Sequence, residues 1–154
     1  MDVCMCINTP LGDLLAVDGG GALTQLIFGC DIPAGCRAGQ TPLLAQTAQQ
    51  LEEYFAGTRQ VFDLPLRPEG TPFRQKVWQA LLTIPYGQTR SYRDIAAQIG
   101  APRAVRAVGG ANHHNPISII IPCHRVIGAD GSLRGYGGGT DKKTTLLQLE
   151  QGLS

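Results

Sequence analysis

The segment Pro122-Cys123-His124-Arg125-Val126 sets a thiol beside an imidazole and a guanidinium, at the end of the apolar run 119–121. A cysteine attacks as its thiolate, and a neighbouring His or other cation raises the thiolate fraction at neutral pH. Pro122 cannot continue a sheet ladder, so the chain leaves any strand there. On an extended chain the His124 side chain would point away from that of Cys123. Proton exchange between them then needs a sharp backbone turn or a relaying water, and Arg125 adds positive charge nearby. Three readings stay open: a nucleophile, a metal ligand, or a small residue closing a buried strand. The other cysteines are Cys4, Cys6, Cys30 and Cys36. A closed zinc site takes four ligands, usually at C-x₂₋₄-C or H-x₃₋₅-H spacing. Cys4 and Cys6 are two apart, as on one face of a strand, and no second pair has zinc spacing, so no metal is expected. His113 and His114 follow a helix end, where an imidazole sits well against the helix dipole. Asn115, before Pro116, can bond the backbone of a turn or tie that helix to the cysteine segment.

The elements around this segment are predominantly helical. Thr71-Pro72 pairs a capping residue with a first-position proline, and Phe73, Val77, Ala80, Leu81 and Ile84 then form a helical stripe. "SYRDIAAQIG" predicts a second helix, with Ser91 as cap, Asp94 three residues on, and Ile95, Ala96 and Ile99 as its inner face. Gly100 ends it, and "PRAVRAVGGAN" begins a third helix at Pro102. Two short helices joined at a glycine are a helix-turn-helix pattern. The third helix carries Arg103 and Arg106 on a body of small residues. Such a helix can approach a narrow groove closely, with an Arg wedged where a base has left the stack; it would also suit burial between other helices. "ISIII" (117–121) predicts a short strand, "GADGSLRGYGGGT" a glycine-rich loop, and "DKKTTLLQLEQG" a closing helix packed through Leu146, Leu147 and Leu149.

The first 67 residues read as a meander of three strands, "DVCMCIN", "LLAV" and "LTQLIFG", broken at "TPLGD" and "DGGGAL". A helix follows over "TPLLAQTAQQLEEYFAGT", capped by Thr41, with Pro42 at its first position and Gly57 at its end. The segment 63–72, rich in Pro and Gly, marks a boundary between domains 1–67 and 71–154. The fold class is therefore α+β.

At 154 residues, 43% hydrophobic and 16% charged, the chain is globular. Its net charge of +1 excludes a bulk electrostatic attraction to nucleic acid, so any DNA-binding face must be a local patch. No run of 18 or more apolar residues predicts a membrane span, and the N-terminus lacks the pattern of a signal peptide. An odd cysteine count without a secretion signal favours free thiols in a reducing, cytoplasmic compartment.

The stretch "RAVGGANHHNPISIIIPCHRVIGADGSLRGYGGG", with "GTPFRQKVWQALLTIPYGQTRSYRDIAAQIG" before it, resembles the O6-alkylguanine-DNA alkyltransferases, the methylated-DNA–protein-cysteine methyltransferases. The close resemblance spans about residues 70–154, and the first 65 residues resemble the family's variable N-terminal domain loosely. It implies an RNase H-like αβ N-terminal domain and a winged-helix-like C-terminal domain. It implies a monomer that binds double-stranded DNA through the minor groove and flips an O6-alkylguanine into a pocket. Cys123 would accept the alkyl group, without any cofactor. His124 would take the thiol proton through a water, and Glu150 would orient His124. Asn115 matches the family's asparagine in its "NP" turn. Arg106 would fill the gap left by the flipped base, with Ser91 and Arg103 beside it on the DNA-binding segment. Tyr92 would press the base outward and donate to guanine N3. The carbonyls of Cys123 and Val126 would read the guanine amino group, and Tyr136 and Gly137 would close over the base. Many members carry Ser where Gly137 stands, so only a backbone donor to O6 remains there. Some members hold an N-terminal zinc with Cys and His ligands, but the first histidine here is His113, and no zinc is carried over.

Three rival functions are weaker. An alkyltransferase-like lesion-binding protein replaces the acceptor cysteine, typically by Trp, yet residue 123 is Cys and the sole Trp is Trp78. A cysteine hydrolase would need an oxyanion hole, which no motif supplies. A helix-turn-helix regulator would need a further domain for which 154 residues leave no room.

Overall fold

In the computed structural model, which describes residues 1–132 and 140–152, the first third of the chain pairs into a four-stranded sheet. Strands β1 (Asp2–Thr9), β2 (Gly12–Asp18) and β3 (Leu23–Phe28) form the antiparallel meander predicted from the alternating pattern. A short β4 (Cys36–Ala38), too brief to stand out in the sequence, adds in parallel to β1, giving the order β3-β2-β1-β4. Helix α1 (Pro42–Phe55) starts where Thr41 accepts from the Leu44 N–H and donates to the Asp18 carboxylate at 2.7 Å, which ties the helix start to the end of β2. Leu44, Leu51 and Tyr54 of α1 are fully buried, as are Leu14 of β2 and Leu26 of β3. Cys4, Leu15 and Val17 pack with Ile27 and Cys36 in a separate apolar cluster.

The free edge of β3 is occupied by two segments distant in sequence. Leu23 exchanges backbone hydrogen bonds with Pro65 and Arg67, and Leu26 does so with Pro116 and Ser118, each at 2.8 Å. Residues Pro116–Ser118 therefore belong to the first unit, Met1–Glu69, while Gly70–Asn115 and Ile119–Ser154 make up the second. The strand expected over 117–121 is absent. Only Ile117 forms a bridge, to Leu26, and the chain then turns, with Ile119 at φ 72. That backbone conformation costs a β-branched residue about 1–3 kcal/mol; full burial of Ile117, Ile119 and Ile121 accompanies it.

The cysteines also depart from the free-thiol expectation. Cys6 and Cys30 form a disulfide, while Cys4, Cys36 and Cys123 are free. The pairing follows from the meander, which returns the chain beyond β3 to within 5.6 Å (Cα–Cα) of Cys6.

In the second unit, α2 (Pro72–Leu81) begins at Thr71, whose hydroxyl accepts from the Arg74 N–H. Trp78 is buried in it and donates its indole N–H to the Ala111 carbonyl at 2.9 Å. Residue 70 must be glycine for packing, because a Cβ there would overlap the Trp78 ring. Helix α3 (Tyr92–Gln98) opens on the predicted reciprocal cap: Ser91 accepts from the Asp94 N–H, and Asp94 accepts from the Ser91 N–H. Gly100, at φ +78, ends it. Helix α4 (Val105–His113) starts three residues later than predicted. Pro102 and Arg103 instead form a turn closed by the Ala104 N–H on the Ala101 carbonyl, since proline suits the second position of a turn as well as the first of a helix. Two short strands, β5 (Arg90–Ser91) and β6 (Val126–Ile127), pair in parallel. The closing helix α5 (Thr140–Glu150) buries Lys143, Leu146 and Glu150 and leaves Leu147 and Leu149 half-buried, so its inner stripe is more polar than expected. Among the described residues no helix is long and apolar enough to cross a membrane.

Candidate active site

Cys123 opens a single 3₁₀ turn, Cys123–Arg125, between the tight bend at 118–121 and β6. The turn resolves the orientation problem posed by adjacent Cys and His. The Arg125 N–H closes it on the Pro122 carbonyl at 2.9 Å, and the N–H groups of Cys123 and His124 face the sulfur. Asn115, at the end of the α4 segment, donates to the Ile121 carbonyl at 2.8 Å and to Cys123 Sγ at 3.1 Å. One amide thus fixes both the bend and the thiol. Asn112, fully buried on α4, donates to the Cys123 carbonyl at 3.2 Å. Cys123 is 2% exposed. That burial pushes its thiol up to about 11, against the opposing influence of Asn115, Lys143 and the two backbone N–H groups.

His124 is fully buried, and its Nε2 lies 2.7 Å from Glu150 Oε2. Burial alone would raise the Glu150 carboxyl, but the bonds from His124 and Arg125 outweigh it and hold the group at about 2. An ionised carboxylate only accepts, so Nε2 carries the proton and Nδ1 is the acceptor. Nδ1 has no hydrogen-bond partner among the described residues. Burial also lowers the imidazole's basicity, against the pull of Glu150, which keeps the ring neutral. Arg125 does not offer free positive charge to the thiol. Its Nε and Nη2 grip both Glu150 oxygens at 2.7 and 2.9 Å, and Nη1 donates to the Ile84 carbonyl at 2.7 Å. The result is a buried thiol beside a neutral base whose acceptor nitrogen is aligned by a fully bonded carboxylate.

Val126 is buried, and its carbonyl accepts from the Lys143 ammonium. The Cys123 carbonyl already accepts from Asn112, but each carbonyl has a second lone pair. Tyr92, the first residue of α3, is half-buried with Lys143 Nζ 5.8 Å from its ring centre. Ser91 is committed to capping α3. Arg106 lies exposed in the first turn of α4, and Arg103 is exposed in the turn before it. His113 and His114 are exposed at the end of α4, where His114 Nδ1 meets the Gly110 carbonyl at 2.8 Å. Tyr136 and Gly137 lie outside the described residues.

The 6-O-methylguanine DNA methyltransferase family model for the DNA binding domain matches residues 72–152, and its ribonuclease-like domain model matches residues 3–68. The chain belongs to the 6-O-methylguanine DNA methyltransferase family. It is 52% identical over 151 residues to a methylated-DNA–protein-cysteine methyltransferase of Mycobacterium leprae, covering 96% of this chain and 92% of that protein. A constitutive methylated-DNA–protein-cysteine methyltransferase of Bacillus subtilis is 49% identical over 152 residues, covering 94% and 92%. A crystal structure of Mycobacterium tuberculosis OGT in complex with DNA superposes with a TM-score of 0.91 at 50% identity, covering 97% of this chain and 93% of that one. The α+β, two-domain fold expected from the sequence is thus the fold of the family, with a sheet-rich N-terminal part and a helical C-terminal part.

Three residues of this family member's site escaped sequence reasoning. Asn112 sits within a run of polar residues and reads as surface. Arg125 looked like a free cation because its carboxylate lies 25 residues away. Lys143 lies in the polar start of α5, and only its place on the stripe with Leu146 and Glu150, at spacings of three and seven, could have flagged it.

Proposed function

We propose that this protein repairs DNA by direct reversal, moving the alkyl group of O6-alkylguanine irreversibly onto Cys123; O4-alkylthymine is a second candidate substrate. The observation that carries the reading is the Cys123 turn itself, with Sγ bonded by Asn115 and set beside the His124–Glu150–Arg125 network. A thiol 2% exposed cannot reach a base stacked in a duplex, so the damaged nucleotide must be flipped out to it. The resting thiol is protonated. As the alkyl carbon approaches, the proton leaves sulfur for a water held by His124 Nδ1, and the imidazolium that forms is stabilised by Glu150. The sulfur forms a bond to carbon while the carbon–O6 bond breaks. The electron pair passes into the purine, which takes up a proton and remains in DNA as guanine. The thioether has no leaving group, so each protein molecule acts once and needs no cofactor.

DNA would be engaged from the minor groove by the helix-turn-helix. Arg106 would fill the stack, Arg103 and Ser91 would support the backbone contacts, and Tyr92 would press the base outward. The carbonyls of Cys123 and Val126 would meet the guanine amino group, with Tyr136 and Gly137 over the base. In this reading residues 71–154 carry binding and chemistry, residues 1–67 are structural, and the protein works as a cytoplasmic monomer. A purely lesion-binding role is disfavoured by the presence of the buried thiol. The test is stoichiometry. With excess duplex containing O6-methylguanine, lesion loss should stop at one per protein molecule; continuing turnover, or binding without loss, would refute the proposal.

A further inference from the structure

The loop after α2 turns back over the network that aligns His124. Its Ile84 carbonyl accepts from Arg125 Nη1 at 2.7 Å. Two residues on, Arg125 Cζ sits over the Tyr86 ring, 5.7 Å from its centre, a distance at which the negative ring face attracts a cation. Gly87 follows at φ +81, and a Cβ there would come within 3.2 Å of the Glu150 carbonyl oxygen. The loop therefore meets both partners of the buried ion pair: Arg125 through Ile84 and Tyr86, and the end of α5 through Gly87. Tyr86 is half-buried, whereas Arg125 and Glu150 are buried, so the ring stands between the pair and solvent.

We infer that Tyr86 is a positioning residue for alkyl transfer, its ring keeping water from the Arg125–Glu150 pair and so holding the carboxylate aimed at His124 Nε2. The inference rests on the reading of Cys123 as alkyl acceptor with His124 as its base. Dryness matters here because unit charges attract about four times more strongly at an effective dielectric of about 20 than in water. A carboxylate gripped by Arg125 cannot swing away from the imidazole. Only a carboxylate so placed keeps the proton on Nε2 and the lone pair on Nδ1. The charged and titratable groups around His124 are Cys123 and Arg125 on its own turn, Glu150 and Lys143 from α5, and Tyr86 from the loop after α2. Burial and then the Glu150 charge push the Tyr86 phenol up, against Arg125, so it stays neutral and acts through its ring.

The ¹⁵N NMR signals of the His124 imidazole at about pH 7 would be compared for wild type, Tyr86→Ala and Tyr86→Phe, together with single-turnover methyl transfer from an O6-methylguanine duplex. The chain has three histidines, so the His124 ring signals are assigned apart from those of His113 and His114. In wild type one ring nitrogen should carry a proton and the other should be bare. In Tyr86→Ala the two signals should move towards a common average as the neutral tautomers mix. Transfer should slow about tenfold, a share of the roughly 10²–10⁴-fold that a well-placed base contributes. Tyr86→Phe keeps the ring and should restore both. An Ala variant with wild-type ring signals would show a merely structural tyrosine and overturn the inference, whatever its rate. A Phe variant as impaired as Ala would assign the effect to the hydroxyl and overturn it equally. Should circular dichroism find the Ala variant unfolded, Tyr86→Leu takes its place, filling the site without a ring face; wild-type ring signals and rate in that variant would overturn the inference. If wild type moves no methyl to Cys123, the alkyl-acceptor reading fails, and the ring signals still decide whether Tyr86 aligns His124.

Discussion

Glu150→Gln probes the network that aligns His124. The carboxylate, 5% exposed, accepts hydrogen bonds from His124 at 2.7 Å and from Arg125 at 2.7 and 2.9 Å. A glutamine keeps the shape but offers one neutral acceptor, which leaves the buried Arg125 charge uncompensated. Breaking a buried pair from one side costs about 3–5 kcal/mol. Linkage gives a similar size. The carboxyl sits at about 2 when folded against 4.5 when unfolded, and that difference is worth about 3 kcal/mol. Because the folded value is depressed, this stability is complete above the unfolded value and is lost as pH falls from 4.5 towards 2. Urea unfolding followed by fluorescence of Trp78, the sole tryptophan and buried in the same unit, reads the effect directly. At pH 7 the variant should be less stable by about 3 kcal/mol, and its deficit should shrink as the buffer approaches about pH 2. A variant within about 1 kcal/mol of wild type at pH 7 would refute the network's role, as would a deficit independent of pH.

Other substitutions separate the remaining parts. Asn115→Ala removes the donor to Cys123 Sγ and should raise the pH midpoint of iodoacetamide labelling, slowing methyl transfer about tenfold at pH 7. Arg106→Ala should weaken repair of duplex DNA far more than reaction with a free alkylated base; equal losses would make the arginine structural. Reducing the Cys6–Cys30 bridge releases a loop spanning 24 residues and should lower stability by about 3 kcal/mol, measured as a fall in Tm with reductant that a Cys30→Ser variant does not show.

What the sequence discloses, and what it hides, divides by range. The helix starts at Thr41, Thr71 and Ser91 were legible because each cap is settled by residues three apart. The meander was legible because alternation exposes which face is buried. The run 117–121 misled because β-branched residues favour strands, whereas Asn115 bonding the Ile121 carbonyl and Leu26 pairing with Pro116 and Ser118 force a turn. Arg103 moved off α4 because Pro102 fits a turn equally well. Within the site, Cys123 and His124 stand out as neighbours, and His124–Glu150 followed from family resemblance, since nothing local links residues 26 apart. Asn112 and Lys143 stayed hidden because their importance lies in burial against backbone carbonyls, which residue type alone does not disclose.

The central claim is that one sulfur, Cys123 Sγ, receives the alkyl group. Peptide mapping by mass spectrometry after incubation with an O6-methylguanine oligonucleotide tests it most directly. The account predicts a single methyl on the peptide containing Cys123 and none on those containing Cys4 or Cys36. A methyl on another cysteine, or none at all with DNA binding intact, would contradict it.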